Sequence, residues 1–253
     1  MLEIIASGFE QIVSQIGVTT LLLAVLIIAS ATVVQYGVGV GFGLLAGPLL
    51  ALLNIDFVPV PVLILTFITS VSAAYSELSL VHVDQLKFCV SGRVLGSILA
   101  AMLLGFMPDE KSFMLVFGLV VGFMVLVSVG GLKIPFNLTT IGIAGFISGI
   151  TATFTSVGGP PMAAVFQNQK ARDARPTLQV FFAMGSLASF MVLVFVGYVK
   201  MTDFLIAFIL LPGTIMGFLL APKLRPFFDK NFRPWILGIA AVSSVLLIQR
   251  GLS

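Results

Sequence analysis

The sequence predicts an all-α polytopic membrane protein made of two inverted repeats, each a glycine-broken segment (re-entrant or discontinuous) followed by three transmembrane helices. Three observations lead there. Charge is scarce: of 253 residues 59% are hydrophobic and 9% charged, against about 25% charged in a soluble domain. Two long apolar segments are interrupted by glycine- and proline-rich stretches. The order of segments, breaks and turns in the first half of the chain recurs in the second.

The charges leave long gaps. No Asp, Glu, Lys, Arg or His lies between Glu10 and Asp56, between Lys111 and Lys133, between Lys133 and Lys170, or between Arg175 and Lys200. About 20 apolar residues span the hydrocarbon layer, and lipid cannot hydrogen-bond a backbone, so such stretches are helical wherever they face it. The mean hydropathy of +1.18 agrees.

In chain order, the first segment runs from Val18 to Val34 and breaks at Gln35–Gly43. A short piece, Leu44–Leu53, follows. Then come Val60–Ser76, Phe88–Met107, Phe113–Val129 and Phe136–Phe154, the last breaking at Thr155–Pro161 with a short continuation to Gln169. Leu178–Tyr198, Phe204–Leu220 and Trp235–Ile248 complete the set. The loops are short and hold most of the charge and several prolines, Pro59, Pro108, Pro135, Pro176, Pro226 and Pro234 among them. Tyr198 and Trp235 fall near segment ends, where amphipathic rings favour the membrane interface.

The repeat divides the chain at 1–131 and 132–253. A shift of 117 carries Gly41 onto Gly158, Thr69 onto Ser186 and Ser72 onto Ser189; a shift of 121 carries Gly92 onto Gly213 and Gly96 onto Gly217. Charge arbitrates between parallel and inverted halves, because cytoplasmic loops carry the Lys/Arg excess. If each broken segment enters and leaves on one side, Lys87, Lys133, Lys170, Arg172, Arg175, Lys223, Arg225, Lys230 and Arg233 share a face, and Lys111, Lys200 and Arg250 share the other. If each broken segment crosses once, Lys87 and Lys133 join Lys200 and Arg250, Lys111 moves to the richer face, and the contrast weakens slightly. The first arrangement predicts inverted halves with both termini outside. Inverted repeats with broken helices are a transporter design.

Several classes fall away. The single Cys89 makes no internal disulfide, and one His82 without a Cys/His cluster gives no metal site. No cofactor is expected. A net charge of +3 calls for no nucleic acid. Residues 1–17 carry Glu3 and Glu10 and no Lys or Arg, the wrong sign for the leading region of a cleaved signal peptide. An intramembrane enzyme needs paired catalytic groups, and a cation path needs embedded carboxylates; the spans hold neither. The chain carries no nucleotide-binding Gly-x-x-x-x-Gly-Lys-Ser/Thr loop. Glu77 and Asp84, which sit near a predicted interface, read as loop residues before proton carriers.

The two breaks are the strongest site candidates. Backbone groups freed inside an apolar segment must face protein or a watery cavity. Gly37, Gly39, Gly41 and Gly43, with Pro48, mark the first break; Ser156, Gly158, Gly159, Pro160 and Pro161 mark the second. A half-helix starting there turns unpaired N–H groups and a partial positive charge toward the cavity. Two such ends meeting near the midplane outline an anion site. The plainer alternative is close helix packing by small residues.

Arg93, about a third of the way along its span, is a costly membrane charge. It faces a partner or cavity, or it snorkels to the headgroups. Its fork of donors suits an oxyanion. The matching region of the second half, Leu211-Pro-Gly213, has no arginine. Gln35, Tyr36, Thr155 and Gln167 flank the breaks, and Thr66, Thr69, Ser70, Ser72, Ser186 and Ser189 lie on neighbouring spans, where hydroxyls commonly bond their own backbone.

The broken Gly-rich stretch ending in Pro48, paired with Ser156-Val-Gly-Gly-Pro-Pro161, resembles the sulfite exporter TauE/SafE family, also called TSUP permeases. Val83-Asp-Gln-Leu-Lys87 and Ala174-Arg-Pro-Thr-Leu178 extend the resemblance over nearly the whole chain, while Phe42 departs from a strict triple glycine. The resemblance implies a multi-pass protein of the bacterial plasma (inner) membrane that carries sulfite, thiosulfate or a small sulfonate such as sulfoacetate. Facilitated or proton-linked export is the primary reading. Proton-coupled uptake of thiosulfate or another small anion, and a non-transport scaffold, stand as alternatives, and a homodimer is left open. The expected substrate residues are Arg93, Gln35, Tyr36, Gly39, Gly41, Gly43, Thr69, Ser156, Gly158, Gly159, Pro160 and Ser186.

Overall fold

The computed structural model of the chain describes residues 2–107, 109–131, 134–228 and 232–253. Pro108, Lys133 and Lys230, used above to read turns and loop charge, lie outside the described residues, as does Leu132, from which the second half is counted. Eleven α-helices make up the described chain: α1 (Leu2–Ile16), α2 (Val18–Val38), α3 (Phe42–Leu53), α4 (Val60–Ala74), α5 (Val83–Leu104), α6 (Glu110–Val129), α7 (Leu138–Thr155), α8 (Gly159–Phe166), α9 (Ala171–Phe195), α10 (Met201–Phe228) and α11 (Phe232–Leu252). Short 3₁₀ turns, Ile55–Phe57 and Tyr75–Leu80, flank α4. Eight of these segments are long and apolar enough to cross a membrane; α3 and α8 are the short pieces behind the two breaks. The chain is an all-α polytopic membrane protein.

Every expected segment is a helix, and one helix was not foreseen. In α1, Ile12 is buried while Glu10, Gln11, Ser14 and Gln15 are exposed, an amphipathic pattern too short and too polar to announce a span. Phe9 packs edge-on against Phe208 of α10, with ring centroids 5.9 Å apart. Helices also extend beyond the apolar limits read from sequence. α5 begins at Val83 rather than Phe88, and α9 at Ala171 rather than Leu178, because polar residues continue a helix outside the hydrocarbon. Pro176, read as a boundary, sits inside α9, where the Arg172 carbonyl it leaves without a partner lies at the exposed helix start.

Glycines fix which helices run side by side. Gly213 of α10 meets Val25 and Ile28 of α2, Gly217 meets Ala29 and Thr32, and the Phe218 ring meets Tyr36, so the two helices run parallel. On the other side Gly145 and Gly149 of α7 press on Cys89 and Arg93 of α5, and Gly92 and Gly96 on Gly142 and Phe146, again in parallel. A Cβ on Gly145 would stand 2.2 Å from the Cys89 carbonyl oxygen. Small residues permit this backbone contact where lipid offers no hydrophobic drive for association.

The short helices turn back. The Leu52 carbonyl near the end of α3 accepts a 2.6 Å hydrogen bond from Arg250, at the end of α11. Beyond it, a cavity of about 430 Å³ gathers residues from the ends of α5 and α9 and from the starts of α4, α6 and α10. α1, which leads into α2, packs on Phe208 near that same start of α10. At the opposite end, Phe166 of α8 stacks on Phe136 just ahead of α7, with centroids 5.1 Å apart, and an apolar cluster of Ile141, Ala144, Met162, Val165 and Leu178 closes around them. The α2–α3 hairpin therefore opens toward one end of the bundle and the α7–α8 hairpin toward the other. Their tips meet in the middle.

Candidate functional site

Each tip is built by a left-handed cap. α2 ends at Gly39, φ 87°, whose N–H returns to the Gln35 carbonyl, and α7 ends at Ser156, φ 61°, whose N–H returns to Ala152. These two residues are 117 apart, the shift read from the sequence. Only Gly adopts this conformation freely; Ser156 does so with its hydroxyl donating to the Pro59 carbonyl at 3.0 Å. The tips touch through backbone. A Cβ on Gly43 would lie 1.8 Å from the Ser156 carbonyl oxygen, and one on Gly159 2.8 Å from Val40.

Gln35 ties the first tip together. Its amide nitrogen donates to Gln179 Oε1 at 3.0 Å and to the Gly39 carbonyl at 3.4 Å, its oxygen accepts the Phe42 N–H at 3.2 Å, and Gln179 Nε2 donates to the Gln35 carbonyl at 3.1 Å. The α3 N-terminus is thus partly satisfied from within. At α8 the second and third helical residues are Pro160 and Pro161, which have no N–H. Fewer helix-end donors face the cavity than the sequence suggested. Gly43 and Leu44, in the first turn of α3, keep amides with no acceptor one turn back.

Arg93 supplies the missing donors. It is 2% exposed and fully enclosed by protein, so it does not snorkel. Nη1 donates to Ser148 Oγ at 2.7 Å, and the Ser148 hydroxyl donates in turn to the Gly158 carbonyl at 2.6 Å. Nη2 reaches Ser189 Oγ at 3.4 Å. Ser189 also accepts from Thr153 at 2.9 Å and shares a hydrogen bond with Ser97 at 3.0 Å. The guanidinium carbon sits 5.6 Å from the Phe181 ring centre, a cation–π distance. Nε, buried against Gly185, has no hydrogen-bond partner. Neither ion pair among the described residues involves Arg93.

Beside this guanidinium lies a small hollow of about 20 Å³. It is lined by Arg93, Gln35, Gly41, Gly43, Ser156, Gly158 and Gly159 of the expected residues, together with Phe42, Leu44, Leu63, Thr66, Ala152 and Phe182. That is room for a water-sized guest. Five expected residues do not line it. Tyr36 packs on Phe218 and on the Arg175 guanidinium. Gly39 meets the Arg175 stem. Thr69 is buried with an unpartnered hydroxyl. Pro160 is buried in the first turn of α8. Ser186 donates to Phe182 and Ala183 of its own helix. Ser148, Ser97, Thr153, Gln179 and Phe181 were missed. Ser97 could have been found by stepping one turn along α5 from Arg93; Ser148 meets Arg93 across 55 residues, with no spacing to announce it.

A family model described as sulfite exporter TauE/SafE matches residues 22–247 of the chain. Neither a curated protein nor a solved structure matches it.

Proposed function

The chain belongs to the sulfite exporter TauE/SafE family, membrane transporters of sulfite or related anions, and on that premise we propose that it exports a small sulfur oxyanion, sulfite or an organosulfonate such as sulfoacetate, through a midplane site centred on Arg93. The observation that carries this reading is a guanidinium buried at the meeting point of two broken helices with no carboxylate beside it among the described residues. An uncompensated charge at membrane depth is costly, and an oxyanion on the free donors of Arg93 removes that cost through charge-assisted hydrogen bonds. Gly43 and Leu44, in the first turn of α3, line the same hollow from the opposite hairpin.

Two hairpins opening to opposite ends, capped at positions 117 apart, support an inverted repeat in which access alternates around a fixed site. At about 20 Å³ the hollow has room for a water-sized guest, so loading an oxyanion requires the hairpins to part. Excess Lys and Arg at the end where α5 and α9 begin and α8 terminates supports a cytoplasmic assignment for that end, in a bacterial inner membrane. Export then runs with the electrical gradient, worth about 2.3 kcal/mol per charge per 100 mV. Purified protein in liposomes should carry sulfite at a rate that rises with an imposed potential at fixed pH. Flux that ignores the potential overturns electrogenic export, and absence of flux with sulfite, thiosulfate and sulfoacetate overturns the transport reading.

A further inference from the structure

A second arginine, Arg175, does not touch the hollow, yet it stands on the helix face that leads to it. Along α9, residues Arg175, Gln179, Phe182, Gly185 and Ser189 follow one another at steps of four and three, so they share a face. Each meets the path. Arg175 packs on Gly39 and on the Tyr36 ring, 5.8 Å from its centre. Gln179 bonds Gln35, Phe182 lines the hollow, Gly185 backs Arg93, and Ser189 accepts from Arg93. The stripe begins near water at the basic end and finishes at the buried guanidinium.

Arg175 is 11% exposed and faces Glu77, 27% exposed, with Nε 3.7 Å from the carboxylate oxygen Oε2. Those two atoms are shielded from solvent and neither makes a hydrogen bond. The attraction is in place, but the donor's strongest interaction is unspent. A carboxylate held before a guanidinium without closing on it occupies the position of an oxyanion. The repeat gives the other mouth no counterpart: 117 residues back from Arg175 stands Val58.

Resting on the transport reading above, we propose that Arg175 is the anion-receiving residue of the basic mouth, and that Glu77 covers it until an oxyanion displaces the carboxylate and passes along the α9 face to Arg93. The two single variants then act in opposite directions. With sulfite as probe in proteoliposomes, Arg175→Gln should raise the half-saturating concentration about tenfold, the scale of one charge-assisted hydrogen bond near water, with the maximal rate little changed. Glu77→Gln removes the competitor and should lower it several-fold. A pair that only braces the fold predicts that both variants lose thermal stability and flux together. Half-saturation moving the same way in both, or in neither, while the wild type carries sulfite overturns this proposal alone. A wild type without flux overturns the transport reading and takes this proposal with it.

Discussion

A buried guanidinium held by hydroxyls and a ring face, with no carboxylate beside it among the described residues, is a poor stabiliser. Ser148 and Ser189 satisfy two of its nitrogens and leave the charge uncancelled, and isolated buried charges cost several kcal/mol each. Arg93→Ala should therefore leave the melting temperature of the purified protein unchanged or raised, while sulfite flux falls about a hundredfold or more, the loss of two charge-assisted hydrogen bonds of about 1.5–3 kcal/mol each. A clear drop in melting temperature, with flux retained, would assign Arg93 to the scaffold. Gly158 tests the same site by volume. A Cβ there would lie 2.4 Å from Arg93 Nη1 and 2.7 Å from Ser148 Oγ, so Gly158→Leu should displace the guanidinium and abolish flux in protein that still reaches the membrane. Arg93 was legible in the sequence because a charge in an apolar run has few explanations. Its hydroxyl partners were not, because serine is ordinary in a membrane helix and each could as well bond its own backbone, as Ser186 does.

The two breaks were readable as elements, and their limits were not. The sequence starts the first break at Gln35, yet α2 runs on to Val38. The reason is that the Gln35 side chain reaches forward to Gly39 and Phe42 and fastens the turn after its own backbone has stayed helical. The second break is shorter than its composition suggested, because Gly159-Pro-Pro161 opens α8 instead of interrupting it. Contact between the tips is backbone on backbone, which no composition reports. Gly43→Ala sets a methyl against the Ser156 carbonyl and should destabilise by about 1–3 kcal/mol or more, as overpacked sites do, with flux lost because the tips are forced apart. Ser156→Gly should be near neutral in thermal denaturation: relief of the left-handed cap, about 1–2 kcal/mol, offsets loss of the bond to Pro59, about 0.5–1.5 kcal/mol. A large loss of stability in Ser156→Gly would show that the hydroxyl, not the backbone, sets the second tip.

Across the whole molecule the two ends differ in charge while the hairpins that open to them share one plan. Asp56, Asp109, Glu110 and Asp203 line the wide cavity, with Lys200 as the one cation in its lining among the described residues. At the other end Lys87 pairs with Asp84 and Arg175 with Glu77, and Lys170 and Arg172 stand at the start of α9. Basic loops stay in the cytoplasm, so the wide acidic cavity should open outward and the Arg175 mouth inward. On the proposed reading this polarity suits export: a guanidinium at an inward mouth receives the anion, and an excess of acids at an outward vestibule opposes its return at low ionic strength, since charged clefts focus their field. In a Cys89→Ser background, Lys200→Cys should react with an impermeant maleimide added to right-side-out vesicles, and Lys87→Cys only after the vesicles are opened. Labelling in the reverse order would turn the molecule over. The anion would then meet the acidic cavity from the cytoplasm, and the direction of transport argued from the charges of the two mouths would have to be surrendered, even though the hairpins, the buried guanidinium and the family would stand as they are.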